Sequence, residues 1–178
     1  MSSQFALKIH TRPVKAEAEL VHGILARMSR RMQQDELVQK TVDQLRESLQ
    51  VERIVLYHFY CEWEGQVTFE SLSDRQFSIL GLKGPDQCFT DEYASLYLAG
   101  RVRAIANILT EPMNDCHRDF LSNLQVRANL VVPVLPNQRL WGLLIAHSCQ
   151  KVRSWSEAEI EEMKTAGQAL AVAPSIVS

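Results

Sequence analysis

The stretch NLVVPVLPNQRLWGLLIAHS, residues 129–148, holds two apolar runs broken once, at Pro136-Asn137. Pro-Asn is a turn signal, so the stretch reads as a pair of strands joined by a tight connection. Working outward, VERIVLYHFY (51–60) is β-branched and aromatic, the composition of a central strand. EGQVTFESLS (64–73) sets Val67, Phe69 and Ser71 against polar neighbours, the alternation of a hairpin partner. VRAIANIL (102–109) adds a short strand.

Helical spacing occupies the two ends of the chain. Leu20, Ile24, Leu25, Met28 and Met32 fall on one face of a helix over residues 16–33. Asp35 can cap a second, with Leu37, Val38, Val42, Leu45 and Leu49 as its buried stripe. Ser156-x-x-Glu159 is a capping box that opens a last helix carrying Ile160, Met163 and Leu170. Between the strands, residues 74–90 form a long irregular segment with Gly81, Gly84 and Pro85. Thr90 offers a cap for DEYASLYLAG, closed by Gly100. Asn114 or Asp115 can cap a helix through CHRDFLSNLQ. The order predicts an α+β fold: a central antiparallel sheet of five or six strands, N- and C-terminal helices on one face and irregular segments on the other. Residues 16–174 read as one domain after a flexible segment over 1–15, and the terminal helices offer a face for a homodimer.

The totals narrow the function. A chain of 178 residues buries most of its apolar surface without a disulfide or metal staple. Nineteen basic against 21 acidic side chains give a net charge of −2, with no long run of one sign. Nothing here points to nucleic acid or an anionic membrane as a partner. No apolar run approaches the roughly 18 residues of a membrane span, and the first residues hold no signal-peptide core. The expectation is a cytoplasmic protein whose four cysteines, Cys61, Cys88, Cys116 and Cys149, are reduced.

Two short motifs carry chemistry. Cys116 falls in the first turn of a helix, where unpaired N–H groups and the helix dipole stabilise a thiolate. His117 beside it can donate a hydrogen bond or stack on a planar ligand. A part-buried cysteine next to a surface histidine is the plain alternative. In GPDQCF (84–89), Asp86 stands two residues before Cys88, and Phe89 directly after it. Aspartate in a Gly/Pro loop is commonly a turn former, and a phenyl ring there is commonly a plug onto the core. No CxxC or HxxxH spacing supports zinc.

VRANLVVPV (126–134), LWGLLIAHSC (140–149) and Arg153-Ser-Trp155 resemble, with Cys116-His117, the GAF domains of cyanobacteriochromes, bilin-binding photoreceptor modules related to phytochromes. The resemblance spans roughly residues 20–172, and GPDQCF is similar to the Asp-Xaa-Cys-Phe signature of the two-cysteine subgroup. It implies a GAF fold with the pocket on the sheet face opposite the terminal helices. It implies a covalent linear tetrapyrrole, phycocyanobilin or phycoviolobilin, held permanently by Cys116 and reversibly by Cys88. His117 would pack against the pigment, Asp86 would meet its pyrrole N–H groups, and His147 would lie near ring D or a propionate. Arg101 would bind one propionate, with Arg127 or Arg103 for the other. Tyr93 and Tyr97 are either pocket walls or ordinary core, and Phe89 anchors the loop. The implied function is a light-driven Z/E switch of a blue/green type, self-attaching but without turnover, coupled to an output domain of a larger receptor. Two rivals stay open: a GAF domain for a cyclic nucleotide, and one that reduces methionine sulfoxide through cysteines.

Overall fold

A computed structural model describes residues 14–61, 64–84 and 91–178, with side chains described from residue 18 onward except at 61 and 91. Two helices come first, α1 (Val14–Gln34) and α2 (Glu36–Leu49). Strands β1 (Arg53–Cys61) and β2 (Glu64–Leu72) follow, then α3 (Asp91–Leu98), β3 (Arg103–Ile105) and α4 (Asp115–Asn123). The chain closes with β4 (Ala128–Val134), β5 (Gly142–Ser148), α5 (Glu157–Leu170) and the single turn α6 (Pro174–Val177). The expected caps form. Asp35 accepts from the N–H groups of Leu37 and Val38, Ser156 and Glu159 close a capping box, and Gly100 turns out of α3 at φ +88°. Asn137, in the connection between β4 and β5, sits in the left-handed region at φ 49°.

The five strands make one antiparallel sheet in the order β2-β1-β5-β4-β3. Successive side chains on a strand point to opposite faces, and here the parity is regular. Ile54, Leu56, Leu130, Val132, Leu144 and Ala146 pack with Val42, Leu49, Met163 and Leu170 beneath the helices. Their odd-numbered neighbours, Val55, Asn129, Val131, Leu143, Ile145 and His147, face the other side. The α+β layout with terminal helices on one face is therefore present, with five strands.

Three local readings change. Val67 and Phe69 do not share a face: a bulge between Leu56 and Tyr57 pairs Leu56 with Phe69 and Tyr57 with Val67, leaving Thr68 over. Phe69 joins the helix-side core, while Val67 lines the opposite face. Leu37, assigned to the buried stripe of α2, is 38% exposed, because the contacts of α2 centre on Val38, Val42, Leu45 and Leu49. Cys116 is disulfide-bonded, its partner sulfur lying outside the described residues, whereas Cys149 is a free buried thiol. The expectation of four reduced cysteines thus fails at Cys116.

Two glycines fix close approaches around Tyr57. A Cβ on Gly142 would fall 2.0 Å from the Tyr57 carbonyl oxygen, and one on Gly84 would fall 2.2 Å from the Tyr57 hydroxyl. Gly84 N–H donates to that hydroxyl at 3.0 Å, and Gln66 bridges Lys83, so the start of the GPDQCF stretch is tied to β1 and β2.

Candidate functional site

Helix α4 begins where Asn114 Oδ1 accepts from the Cys116 N–H at 2.9 Å. An asparagine in this position satisfies one of the unpaired first-turn donors. The cap leaves Cys116 exposed and turns His117, half-buried, toward the sheet. Arg118 holds the same end in place. Its guanidinium donates to the carbonyls of Ile108 (3.2 Å), Glu111 (3.1 Å) and Met113 (3.4 Å) and pairs with Asp115.

A cavity of about 230 Å³ lies between α4, α3 and the odd-numbered face of the sheet. Tyr57, Tyr97, Arg103, His117, Asn129 and His147 are among the polar side chains of its wall, set among aliphatic residues such as Val131 and Ile145. Burial pushes the His117 imidazole below its ordinary range, and the charge of Arg103 adds to this. His147 is held well below that range by burial, then by the adjacent Arg53 charge, then by His117. Both rings are therefore neutral at pH 7. Burial raises the Tyr97 phenol against the opposing pull of Arg101 and Arg103, which leaves it protonated.

Two polar atoms in the wall are buried without a hydrogen bond: Arg103 Nε and Asn129 Oδ1. Asn129 is 4% exposed. A buried polar group left unpaired costs about 1–3 kcal/mol, so two on neighbouring strands of one cavity wall mark a place for a polar ligand. Among the described residues no set of His, Cys, Asp and Glu side chains suits a metal ion.

Of the residues singled out from sequence, His117, His147, Tyr93 and Tyr97 come together in the wall. Cys116 stands between two wall residues in sequence, one position from His117 and two from Asn114. Arg101 lies outside the wall, its guanidinium over the Tyr93 and Tyr97 rings at 5.8 and 6.0 Å from their centroids. Arg127 is exposed and also outside it. Asp86, Cys88, Phe89 and the Thr90 cap lie outside the described residues. Asn129 was missed from sequence, and Arg103 was only an alternative to Arg127. Strand parity was the available signal, since Asn129 and His147 are odd-numbered neighbours of residues whose even positions are apolar.

Residues 33–173 match the family model described as GAF domain. The chain belongs to the GAF domain family. An uncharacterized protein of Picosynechococcus sp. (strain PCC 7002) is 47% identical over 145 residues, covering 82% of this chain and 89% of that protein. Among solved structures, the blue-light absorbing form of the Thermosynechococcus elongatus PixJ GAF domain is similar at a TM-score of 0.72 and 31% identity. That match covers 78% of this GAF domain and 82% of the PixJ chain. The phycocyanobilin-bound GAF domain of a cyanobacterial phytochrome matches at a TM-score of 0.69 and 29% identity, covering 85% and 91% of the two chains. No helix among the described residues is long and apolar enough to cross a membrane.

Proposed function

We propose that this GAF domain is the bilin-binding photosensory module of a cyanobacteriochrome of the Asp-Xaa-Cys-Phe subgroup. The observation that carries this reading is the cavity bordered by Cys116-His117, with two orphaned polar atoms in an otherwise largely aliphatic and aromatic wall. Those atoms fit the pigment's chemistry. The Arg103 guanidinium suits a propionate, Asn129 Oδ1 suits an N–H donor, and the flat apolar walls suit a conjugated ring system. The likeness to PixJ and to a phycocyanobilin-bound domain supports the same class of ligand. Phycocyanobilin or phycoviolobilin, when bound, supplies light absorption and a Z/E isomerisation at the bridge between rings C and D.

The chain's own residues supply the rest. Cys116, once a small cellular thiol has reduced its disulfide, is activated by the first turn of α4 and would add its S–H across a double bond of the pigment, giving the permanent thioether without another enzyme. Neutral His117 packs its ring against the pigment plane. Asp86 accepts from pyrrole N–H groups, and Cys88 makes the second, reversible thioether that shortens conjugation and places the resting state in the blue. Arg101, beside the two tyrosines, takes a propionate on the outer side of the wall. The domain performs no turnover chemistry, works in the cytoplasm, pairs with a second copy through its terminal helices and passes its state to an output domain of a larger receptor.

Co-expression with a phycocyanobilin-producing system tests the reading. Expected are zinc-enhanced fluorescence of the denatured band and spectra that switch under alternating blue and green light. A colourless wild-type protein would sink it. Cys116→Ala should abolish the covalent band, whereas Cys88→Ala should keep bound colour and lose the blue state.

A further inference from the structure

Arg118 stands two residues after Cys116 in α4, and its side chain is drawn inward to 26% exposure. Its donors converge on the start of the helix. Nε donates to the Ile108 carbonyl at 3.2 Å, and one terminal nitrogen to the Glu111 and Met113 carbonyls at 3.1 and 3.4 Å. The other terminal nitrogen pairs with the Asp115 carboxylate at 2.5 Å. Ile108 is fully buried, and its N–H donates to the Arg127 carbonyl at 3.0 Å, directly before β4. One guanidinium therefore ties the 108–113 connection, itself anchored to the sheet, to the turn that carries Cys116. That connection leads through Met113 into Asn114, both of which line the cavity, and Asn114 caps the Cys116 N–H. The pairing with Asp115 has a second consequence. Asp115 is the acidic residue of the first turn and directly precedes Cys116, so its charge opposes a thiolate there. Among the described residues, Arg118 is the one cation paired with it.

We propose that Arg118 is the positioning residue for covalent attachment at Cys116: it fixes the Cys116 turn beside the cavity wall and offsets the Asp115 charge that opposes the thiolate. A fork of N–H donors can hold several carbonyls and a carboxylate at once, which a point charge cannot. The chemistry it serves balances with a small thiol as the only co-reactant. Two equivalents of that thiol reduce the disulfide, leaving Cys116 and its partner as thiols and the small thiol as its own disulfide. The Cys116 sulfur then bonds to one carbon of a pigment double bond, and the thiol proton ends on the other. Attachment to a bilin rests on the photoreceptor reading, whereas the effect on the thiol rests on Arg118 and Asp115 alone.

The charge effect is tested on reduced, pigment-free protein with iodoacetamide at neutral pH, the Cys116 peptide being read by mass spectrometry. Arg118→Ala should slow alkylation about two- to fivefold, the scale of an exposed charge pair. Adding Asp115→Asn should restore the rate, and Arg118→Lys, which keeps the charge, should retain it. Arg118→Met, which keeps bulk without charge or donors, replaces alanine in both tests if alanine prevents folding. An unchanged rate in the uncharged variant, or no recovery with Asp115→Asn, overturns the charge effect. The positioning effect is tested by the time course of phycocyanobilin attachment to reduced protein across pigment concentrations. The Arg118→Ala, Asp115→Asn double variant should attach about tenfold or more slowly at saturating pigment, the scale of a misplaced reacting group. Its half-saturating concentration should not change. An unchanged saturating rate, or a raised half-saturating concentration alone, overturns the positioning effect while leaving the photoreceptor reading intact. A wild-type protein that takes up no pigment overturns that reading and the positioning effect with it, and the alkylation rates still decide the charge effect.

Discussion

The two faces of the sheet are built from alternate residues of the same strands, yet they follow opposite rules. The helix-side face is closed. Ile54, Leu56, Leu130, Val132 and Leu144 are each at most 1% exposed and pack with Met32, Val38, Met163 and Leu170 in one apolar cluster. The other face is open and polar at its centre, where Arg53, His147 and Asn129 lie in one row across β1, β5 and β4. Moving one residue along β5 passes from a fully packed leucine, Leu144, to a cavity wall at Leu143. Burial by itself therefore does not mark function in this fold. Buried groups whose hydrogen bonds are incomplete do.

The largest expected effect tests the closed face. Leu144→Ala removes side-chain volume where the neighbours have no room to collapse, and should cost about 2–5 kcal/mol. Leu143→Ala, one position on, borders a space that already exists and should cost clearly less, since the cost tracks newly created cavity. Urea unfolding of the two variants in the pigment-free state measures the contrast. Equal losses would mean that the cavity is filled in solution and that the two faces do not differ.

Next in size, Asn129→Leu should stabilise the pigment-free protein by about 1–3 kcal/mol, because it removes an acceptor that has no partner. It should also weaken pigment uptake. Substitutions in a functional wall commonly exchange stability for binding in this way. A loss of stability instead would show that Oδ1 is satisfied in the empty protein.

Strand parity explains how much of this could be read in advance. The apolar runs in β1, β4 and β5, the caps at Asp35 and Ser156, and the first-turn position of Cys116 are short-range patterns, and all of them appear in the fold. What escaped depends on contacts between distant segments. Val67 and Phe69 look equivalent by alternation, but the extra residue at Thr68 exists only because β2 pairs with β1 in a shifted register. Arg101 and Arg103 are both cations near a three-residue strand, and no local pattern says which one β4 draws into the wall. Arg53 gave no signal in sequence, because its partners His147, Phe77 and Leu124 lie 24 to 94 residues away.

A smaller effect over a single pH unit comes from three histidines, His117 and His147 in the cavity wall and His58 stacked on Trp141 of the helix-side core. His147, His117 and His58 all have folded-state affinities for protons below the ordinary value of 6.5. Burial is the main cause in each, reinforced by Arg53 and His117 at His147 and by Arg103 at His117, and partly offset by the Trp141 carbonyl at His58. Above pH 6.5 the rings are neutral in both folded and unfolded chains, and stability is level. As pH falls below 6.5 the unfolded chain takes up protons that the folded protein refuses, so stability declines. Pigment-free protein should have a lower urea midpoint at pH 5.5 than at pH 7.5. His147→Gln, whose side-chain oxygen can still accept from Arg53, should flatten that dependence. A wild-type midpoint that does not fall with pH would contradict the neutral, buried rings.

The smallest expected effect lies at the outer edge of the closed face. Leu37, the second residue of α2, is 38% exposed, whereas Val38 beside it is fully buried. The Asp35 cap uses only the Leu37 backbone N–H, which glutamine keeps, and exposed side-chain substitutions usually stay within about 0.5 kcal/mol, so Leu37→Gln should be nearly silent in urea unfolding and Val38→Ala should not be. Leu20 and Ile24 on α1, and Val177 after α5, are further exposed apolar side chains of the helix layer. If Leu37→Gln costs more than about 1 kcal/mol, and the cost shrinks on dilution, a second copy covers this layer in solution, because binding to the folded state stabilises it by mass action. A silent substitution at every concentration would leave the helix layer facing water at Leu37 and would confine any dimer contact to α1 and α6.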